Sequence, residues 1–175
     1  MNIVIEQANS YVLPISILKA HLRIDHDHED GYLKTIINMA TDILEKNIER
    51  PILKKKFKYT DYTNEISPTR KVILPIRQVI KVYSVKRINE KTKEDIEYRV
   101  DSCNDKTIII TNGYKDPIEV IYTAGITDKQ FEVSCDLQFA VLQIAKNIYE
   151  CSDEDVLESK YVKHIIHSHR PLTLH

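Results

Sequence analysis

The strongest periodic pattern in the chain lies in residues 30–50, DGYLKTIINMATDILEKNIER. Its apolar residues recur at steps of three and four, which is the period of one helix face. They are Leu33, Ile37, Ala40, Leu44 and Ile48. Arg50 precedes Pro51, and a residue before proline avoids helical geometry. The pattern therefore predicts a long amphipathic helix that ends near residue 50 and buries this stripe in a core.

Two more helical patterns lie upstream and far downstream of this stretch. A short helix with Leu18 and Leu22 is expected upstream, and Asp27 is a suitable N-cap for the long helix. Downstream, a second long helix is expected behind Ser134, because its apolar residues follow the same spacing. They are Leu137, Val141, Ile144 and Ile148. We expect the two long stripes to pack together, since each must bury its apolar face.

The middle of the chain has a different character. Val, Ile, Tyr and Thr dominate residues 52–124, and turn residues separate short runs. These runs predict strands near residues 54–62, 71–74, 79–88, 96–100, 107–111 and 118–123. Asn112-Gly113 suggests a tight hairpin between the last two runs, and Asn89–Asp95 is expected to be a charged loop. No helix-length pattern separates the strands, so the sheet should be mostly antiparallel.

These patterns predict one α+β domain over residues 1–175. Two long amphipathic helices and shorter ones form a helical core from residues 15–50 and 134–170, and a mostly antiparallel β-rich insertion occupies residues 52–124.

The chain has 25 Lys and Arg against 26 Asp and Glu, a balance that excludes a generally basic nucleic-acid coat. With only 3 Gly there is no glycine-rich phosphate loop. Three separated cysteines and the lack of a long apolar run predict a soluble intracellular protein without a membrane partner.

The second long helix carries more apolar surface than one core stripe needs. Phe139, Leu142 and Tyr149 form a further flank, and exposed apolar surface usually marks an interaction site. We expect this flank to be central to the fold or to meet another subunit.

The segment after Glu150 is short, charged and rich in histidine, so it is expected to be an arm that becomes ordered on a partner. Deleting Val162–His175 should then leave the fold intact.

Lys54–Lys58 is the densest basic run, with Lys54, Lys56 and Lys58 on alternate positions. The favoured interpretation is an edge strand that lysines protect from aggregation. The alternative is a nucleic-acid-binding module, in which Phe57 and Tyr59 stack on bases beside phosphate contacts.

Histidine and carboxylate residues cluster in two places. One holds Asp25, His26, Asp27 and His28, and the other holds His164, His167 and His169. Neither has a ligand spacing known for metal sites, so we favour a solvated acidic loop and an exposed tail over a metal-dependent hydrolase. Cys135 falls in the first turn of a predicted helix, and buried packing is favoured over a reactive thiol. We therefore expect no metal, no cofactor and no catalytic residue.

The order of several short segments resembles phage head–tail connector proteins. Near the start these are LKAHLRID at 18–25, Glu29-Asp30 and a helix ending in Glu49-Arg50. In the middle they are PIRQV at 75–79, VYSV at 82–85 and YRVD at 98–101. Downstream they are IYTAG at 121–125, VSCDL at 133–137, IYE at 148–150 and HRP at 169–171. The resemblance runs along nearly the whole chain in the expected order.

The resemblance implies a structural adaptor of a long-tailed phage or prophage. Such an adaptor forms a ring beneath the portal, usually of twelve copies, extends the DNA channel and supports tail attachment. The implied partners are other copies, the portal protein, a downstream neck or tail protein, and DNA passing without sequence-specific contact. The implied location is the virion neck, after assembly in the host cytoplasm. The residues expected at the ring or portal interface are Phe139, Leu142, Tyr149, Lys54, Lys56, Lys58, His167, His169 and Arg170.

Overall fold

The structure is a computed structural model that describes residues 2–7, 10–63, 68–89, 92–103, 106–113, 115–127 and 129–170. Within these ranges it contains four α-helices and two antiparallel sheets, which confirms the predicted α+β class. The chain separates into two compact units. We call residues 2–7 and 54–125 the β unit, and residues 10–53 and 126–170 the helical unit. The assignment of the whole chain to one domain stays a prediction.

The helical unit is built from four helices around one apolar core. They are α1 (Ile15–Leu22), α2 (Asp30–Ile48), α3 (Cys135–Tyr149) and α4 (Lys160–His169). The stripes of α2 and α3 share this core, as predicted: Leu44 and Ile144 are at most 1% exposed, and Ile148 lies half-buried against the same cluster. The predicted N-cap of α2 is wrong by two residues, because Glu29 occupies that position and Asp27 binds Lys19 instead.

Helix α4 belongs to this core and is not a detachable arm. Val162, Ile165 and Ile166 are buried in the same cluster as the α2 and α3 stripes. Their spacing of three and four places them on one helix face, and Ser159 caps the helix by accepting a hydrogen bond from the Val162 amide. The expectation that removal of residues 162–175 leaves the fold intact is therefore wrong. Residues 171–175 lie outside the described part of the chain.

The β unit contains a five-stranded sheet and a three-stranded sheet. In chain order the strands are β1 (Asn2–Gln7), β2 (Lys55–Asp61), β3 (Thr69–Ile73), β4 (Val79–Ile88), β5 (Lys93–Asp95), β6 (Tyr98–Cys103), β7 (Lys106–Asn112) and β8 (Ile118–Ala124). The larger sheet has the order β1-β2-β8-β4-β5, and the smaller has the order β3-β7-β6. Apolar side chains of both sheets form one core, in which the Phe57 and Tyr122 rings stack with centroids 5.5 Å apart.

Two local predictions about the strands are wrong. Asn112-Gly113 does not close a hairpin, because β7 pairs with β3 and β6 whereas β8 pairs with β2 and β4. The chain crosses there from one sheet to the other. Part of the predicted charged loop forms β5, whose residues pair with Lys86–Ile88 of β4. Glu90 and Lys91 of that loop lie outside the described residues.

Candidate assembly surface

A groove opens on the helical unit beside the outer face of α3. It encloses about 260 Å³ between α3 and the segment that leads into α4. Its apolar wall includes Phe139 and Tyr161, which are 41% and 73% exposed. Its rim is acidic, with Glu150, Glu154 and Asp155 against Lys146 alone. Such a surface suits a partner that presents an apolar side chain flanked by positive charge.

The structure divides the predicted apolar flank of α3 into one exposed and two half-buried residues. Phe139 faces the groove, whereas Leu142 and Tyr149 pack against the helical core. The Tyr149 hydroxyl donates a hydrogen bond of 3.0 Å to Glu29 Oε2, and its ring lies near Tyr32. The carboxylate of Glu29 raises the pKa of the Tyr149 hydroxyl, with a smaller contribution from burial. Phe139 is therefore the member of this flank that offers most surface to a partner.

The basic segment lies inside the five-stranded sheet. β2 pairs with β1 on one side and with β8 on the other, so the prediction of a lysine-protected edge strand is wrong. The reason is β1, a strand that the sequence patterns did not predict. Phe57 is 4% exposed and stacks on Tyr122, so it is not available to stack on a nucleic-acid base.

Lys56 and Lys58 of β2 lie on the face opposite Phe57 and interact within the sheet. Lys56 Nζ lies 3.6 Å from Glu6 and 5.0 Å from the centre of the Tyr83 ring. Lys58 Nζ lies 3.8 Å from Glu119, a buried carboxylate that also binds Lys93 at 2.8 Å. Lys54 is half-buried. These partners satisfy much of the positive charge that the sequence presents as one basic run.

The end of α4 is held by polar contacts to the rest of the helical unit. His169 Nε2 lies 2.6 Å from Asp136 Oδ2, and Arg170 Nε donates to Glu49 Oε1 at 2.9 Å. Burial raises the pKa of the Asp136 carboxyl, but hydrogen bonds from Ser134 and His169 outweigh this and hold the pKa below its ordinary value. His167 is exposed. Of the three predicted tail residues, His169 and Arg170 therefore serve the fold, and His167 remains open to a partner.

The acidic segment before α2 is organised by one lysine. Lys19 Nζ donates hydrogen bonds of 2.5 Å to Asp27 and 2.9 Å to Asp30. Asp27, and to a smaller degree Asp30, raises the pKa of the Lys19 ammonium, and the same contact lowers the pKa of Asp27. The rings of His26 and His28 lie 5.7 Å apart. The segment thus links α1 to the start of α2.

Most residues considered for metal or thiol chemistry lie at exposed positions of the described ranges. Within them, no three His, Cys, Asp or Glu side chains converge as a metal ion requires. Cys135 and Cys151 are free and exposed, so the expectation that Cys135 packs in the core is wrong: it is the first residue of α3 and points outward. None of the helices described has the length and hydrophobicity needed to cross a bilayer.

Sequence patterns missed Tyr161 in the helical unit and the strand β1 in the β unit. Tyr161 completes the groove, but it is an isolated aromatic residue among charged and polar neighbours. The apolar stripe of α4, formed by Val162, Ile165 and Ile166, was the detectable sign, because it places Tyr161 at the edge of the buried face. The strand β1 was missed because its apolar run is only three residues long, Ile3–Ile5.

The chain is similar to one described protein family. A family model described as phage gp6-like head–tail connector protein matches residues 14–119. No curated protein matches the chain.

The fold as a whole is similar to chains of solved particles. A chain in the neck of an empty gene transfer agent particle, computed with C6 symmetry, has a TM-score of 0.77 and 19% identity. A chain in the virion of the native gene transfer agent particle has a TM-score of 0.79 and 18% identity. A chain in the neck of the native particle, computed with C12 symmetry, has a TM-score of 0.75 and 18% identity. Each match covers 100% of this chain and 97% of the other.

Proposed function

Because the chain belongs to the phage gp6-like head–tail connector family, we propose that it is a structural protein of the virion neck. It assembles as a ring of identical copies beneath the portal, in the virion most simply as a dodecamer. The ring extends the channel through which DNA passes without sequence-specific contact, and it presents a surface for the next neck or tail protein. The protein is made and assembled in the host cytoplasm, acts as one connector domain and catalyses no reaction.

The observation that carries this proposal is the fold match over the full length of the chain. The family model covers 14–119, which includes α1, α2 and most of the β unit. The similar solved structures extend the likeness through α3 and α4. Two of them are necks computed with C6 and C12 symmetry, which supports a ring of repeated copies.

The distribution of charge supports a head-to-tail contact between copies. Residues 54–125 contain 15 Lys and Arg against 10 Asp and Glu, whereas residues 8–53 and 126–171 together contain 10 against 15. A ring needs a heterologous interface, in which two different patches of the same chain meet. Opposite net charges on two parts of the chain supply such patches and favour one register over others.

We propose that the groove with Phe139 and Tyr161 is the portal- or neighbour-facing site of the helical unit. Phe139 contributes an exposed aromatic side chain, which is the type of residue that anchors interfaces. The other two residues of the predicted flank, Leu142 and Tyr149, pack against the helical core, and His167 lies exposed on α4. The alternative of a nucleic-acid module is disfavoured, because Phe57 is buried and Lys56 and Lys58 have carboxylate partners.

The test mixes the purified full-length chain with portal rings of the same phage or prophage and images the product by electron microscopy. We expect a second ring stacked on the portal, with an association that weakens as salt rises. A chain that is folded but never binds portal rings, at low or high salt, overturns the proposal.

A matched pair of variants tests the groove. Phe139→Asp and Met39→Asp each place a carboxylate on an outward position of a long helix, at 41% and 49% exposure. We expect Phe139→Asp to prevent ring or portal assembly and Met39→Asp to leave it unchanged. Unchanged assembly by Phe139→Asp would exclude the groove as the contact site, without affecting the connector proposal.

A further inference from the structure

Among the residues described, the five-stranded sheet of the β unit has two open edges. β1 lies at one end of the strand order and pairs only with β2. At the other end, β5 covers just Lys86–Ile88 of β4. The preceding residues Val79–Ser84 have β8 on one side and, among the residues described, no strand on the other. The sheet therefore offers unpaired backbone groups along β1 and along the first six residues of β4.

The edge at β1 exposes an apolar run. Ile3, Val4 and Ile5 are 39%, 41% and 46% exposed. Successive residues of a strand point to opposite faces, so exposure of all three means that neither face of β1 is fully covered. Natural edge strands are commonly blocked by lysine, proline or a very short length. β1 has six residues and contains neither lysine nor proline, although its pairing with β2 shifts register between Val4 and Glu6.

The open segment of β4 is chemically complementary to β1. Ile80 and Tyr83 are each 50% exposed, and Lys81 is exposed beside them, with its Nζ 5.2 Å from the centre of the Tyr83 ring. β1 carries an exposed carboxylate, Glu6, next to its apolar run. Each edge thus combines apolar side chains with one exposed charge, and the two charges have opposite sign.

We propose that β1 of one copy pairs with the open β4 segment of the next copy, so that the sheets of neighbouring copies join edge to edge. The proposal rests on the ring assembly proposed above and names the surface that forms it. The open β4 segment, with register shifts at Ile80 and Tyr83, spans the four β8 residues Ile121–Ala124, so β1 can pair along about 13 Å of it. The two edges differ, so the contact is heterologous and can repeat around a ring. Backbone hydrogen bonds supply affinity, as in other cases of strand addition, and contact between Glu6 and Lys81 supplies register.

The location of β5 explains why the pairing stops at Ser84. Its three residues Lys93, Glu94 and Asp95 are all exposed and charged, which is the composition of a protected edge. The sheet is therefore blocked over one part of β4 and open over the other. A strand that arrives from a second copy meets a segment of fixed length.

The first test reverses the charges. Glu6→Lys and Lys81→Glu should each raise the concentration needed for ring assembly on portal by about tenfold, because like charges then face each other. The double variant Glu6→Lys/Lys81→Glu should restore assembly to near the wild-type concentration. Circular dichroism and thermal melting of each variant verify the fold. Two single variants that assemble as the wild type does, or a double variant no better than the singles, overturn the proposal.

The second test is covalent. In a chain whose three native cysteines are replaced by serine, Val4→Cys and Ile80→Cys are combined and treated with a short bis-maleimide after assembly on portal. We expect a ladder of linked copies, and no ladder when Ile17→Cys, equally exposed at 41% but on α1, replaces Val4→Cys. Rings that form without a Val4–Ile80 ladder overturn the edge pairing and leave the connector function standing. Failure of the wild-type chain to form any ring on portal overturns both.

Discussion

Arg70 and Asp61 form an ion pair that is buried within the β unit. Arg70 Nη2 donates to Asp61 Oδ2 at 2.7 Å, and the Arg70 side chain is 1% exposed. Arg70 Nη1 also donates to the carbonyl oxygen of Asp116 at 2.7 Å, and Asp61 Oδ1 accepts from the Thr63 amide. The pair joins the end of β2 to the start of β3, and it connects both to the residue two positions before β8. One side chain thus fixes three chain segments.

Removing the cation of this pair should be costly. In Arg70→Met the Asp61 carboxylate stays buried without its partner, and the free energy of unfolding should fall by about 3–5 kcal/mol. Urea denaturation of the purified protein measures this. The double variant Arg70→Met/Asp61→Leu removes both charges and should recover a large part of the loss. A single variant as stable as the wild type would show that the pair contributes little.

The stability of the β unit should fall in acid. Burial raises the pKa of the Asp61 carboxyl, but hydrogen bonds from Thr63 and Arg70 outweigh this and hold the pKa below its ordinary value of 3.8. A carboxyl with a lowered folded-state pKa stabilises the protein above its unfolded pKa, and this contribution is lost as pH falls through the folded pKa. Urea midpoints should therefore decline below a pH of about 4. Asp61→Asn should show a shallower decline, and an equally steep one would assign the effect to other groups.

The shared core of the helical unit should be sensitive on both long helices. Leu44→Ala on α2 and Ile144→Ala on α3 each leave a cavity and should lower the free energy of unfolding by about 2–5 kcal/mol. Met39→Ala is the matched control, because Met39 is 49% exposed on α2 and should change stability by less than about 0.5 kcal/mol. Chemical denaturation followed by far-ultraviolet circular dichroism compares the three. Losses confined to one helix would contradict a shared core.

Two truncated chains should distinguish the C-terminal residues that pack in the core from those that follow α4. A chain that ends at Tyr161 loses Val162, Ile165 and Ile166, each of which contributes about 1.5–3 kcal/mol by burial. We expect such a chain to be largely unfolded in the helical unit. A chain that ends at Arg170 keeps α4 with its contacts to Asp136 and Glu49 and should melt as the full-length protein does. Thermal melting of both proteins checks this, and equal melting temperatures would contradict the packing of α4.

Metal removal should have no effect. The histidines expected as ligands are dispersed: His169 contacts Asp136, whereas His164 and His167 are exposed. Dialysis against a chelator should leave the melting temperature unchanged, and elemental analysis should find less than one zinc per ten chains. Stoichiometric metal retained through purification would contradict this prediction.

Local sequence patterns were sufficient to predict elements that a repeating spacing or a characteristic residue composition marks. The stripes of α2 and α3 were predicted residue by residue, because a helix face repeats every three or four positions whatever it packs against. The bounds of β4 were predicted at Val79 and Ile88, since a run of β-branched and aromatic residues marks it.

Partner choice between strands could not be predicted in the same way. Asn112-Gly113 has hairpin composition, yet β7 and β8 belong to different sheets, because pairing depends on distant strands. The lysines of β2 are typical of an edge strand, but β1 pairs with β2 and covers that edge. For the assembly surface, spacing alone grouped Phe139 with Leu142 and Tyr149, and only the positions of neighbouring segments separate the exposed residue from the half-buried ones.

Two chain segments, residues 10–53 and 126–170, form the helical unit, and the end of the first segment contacts the start of the second. Leu53 forms a bridge with Thr127, and the Ile126 amide donates to the carbonyl oxygens of Pro51 and Ile52. During synthesis on the ribosome, at about 5–20 residues per second, α2 is complete several seconds before α3 emerges. Seven of the eight strands, β2 to β8, are made in that interval. We therefore expect a nascent chain whose first 130 residues have left the ribosome to carry a folded β unit and an α2 stripe with no partner, which makes this interval the period when the polypeptide most needs a chaperone.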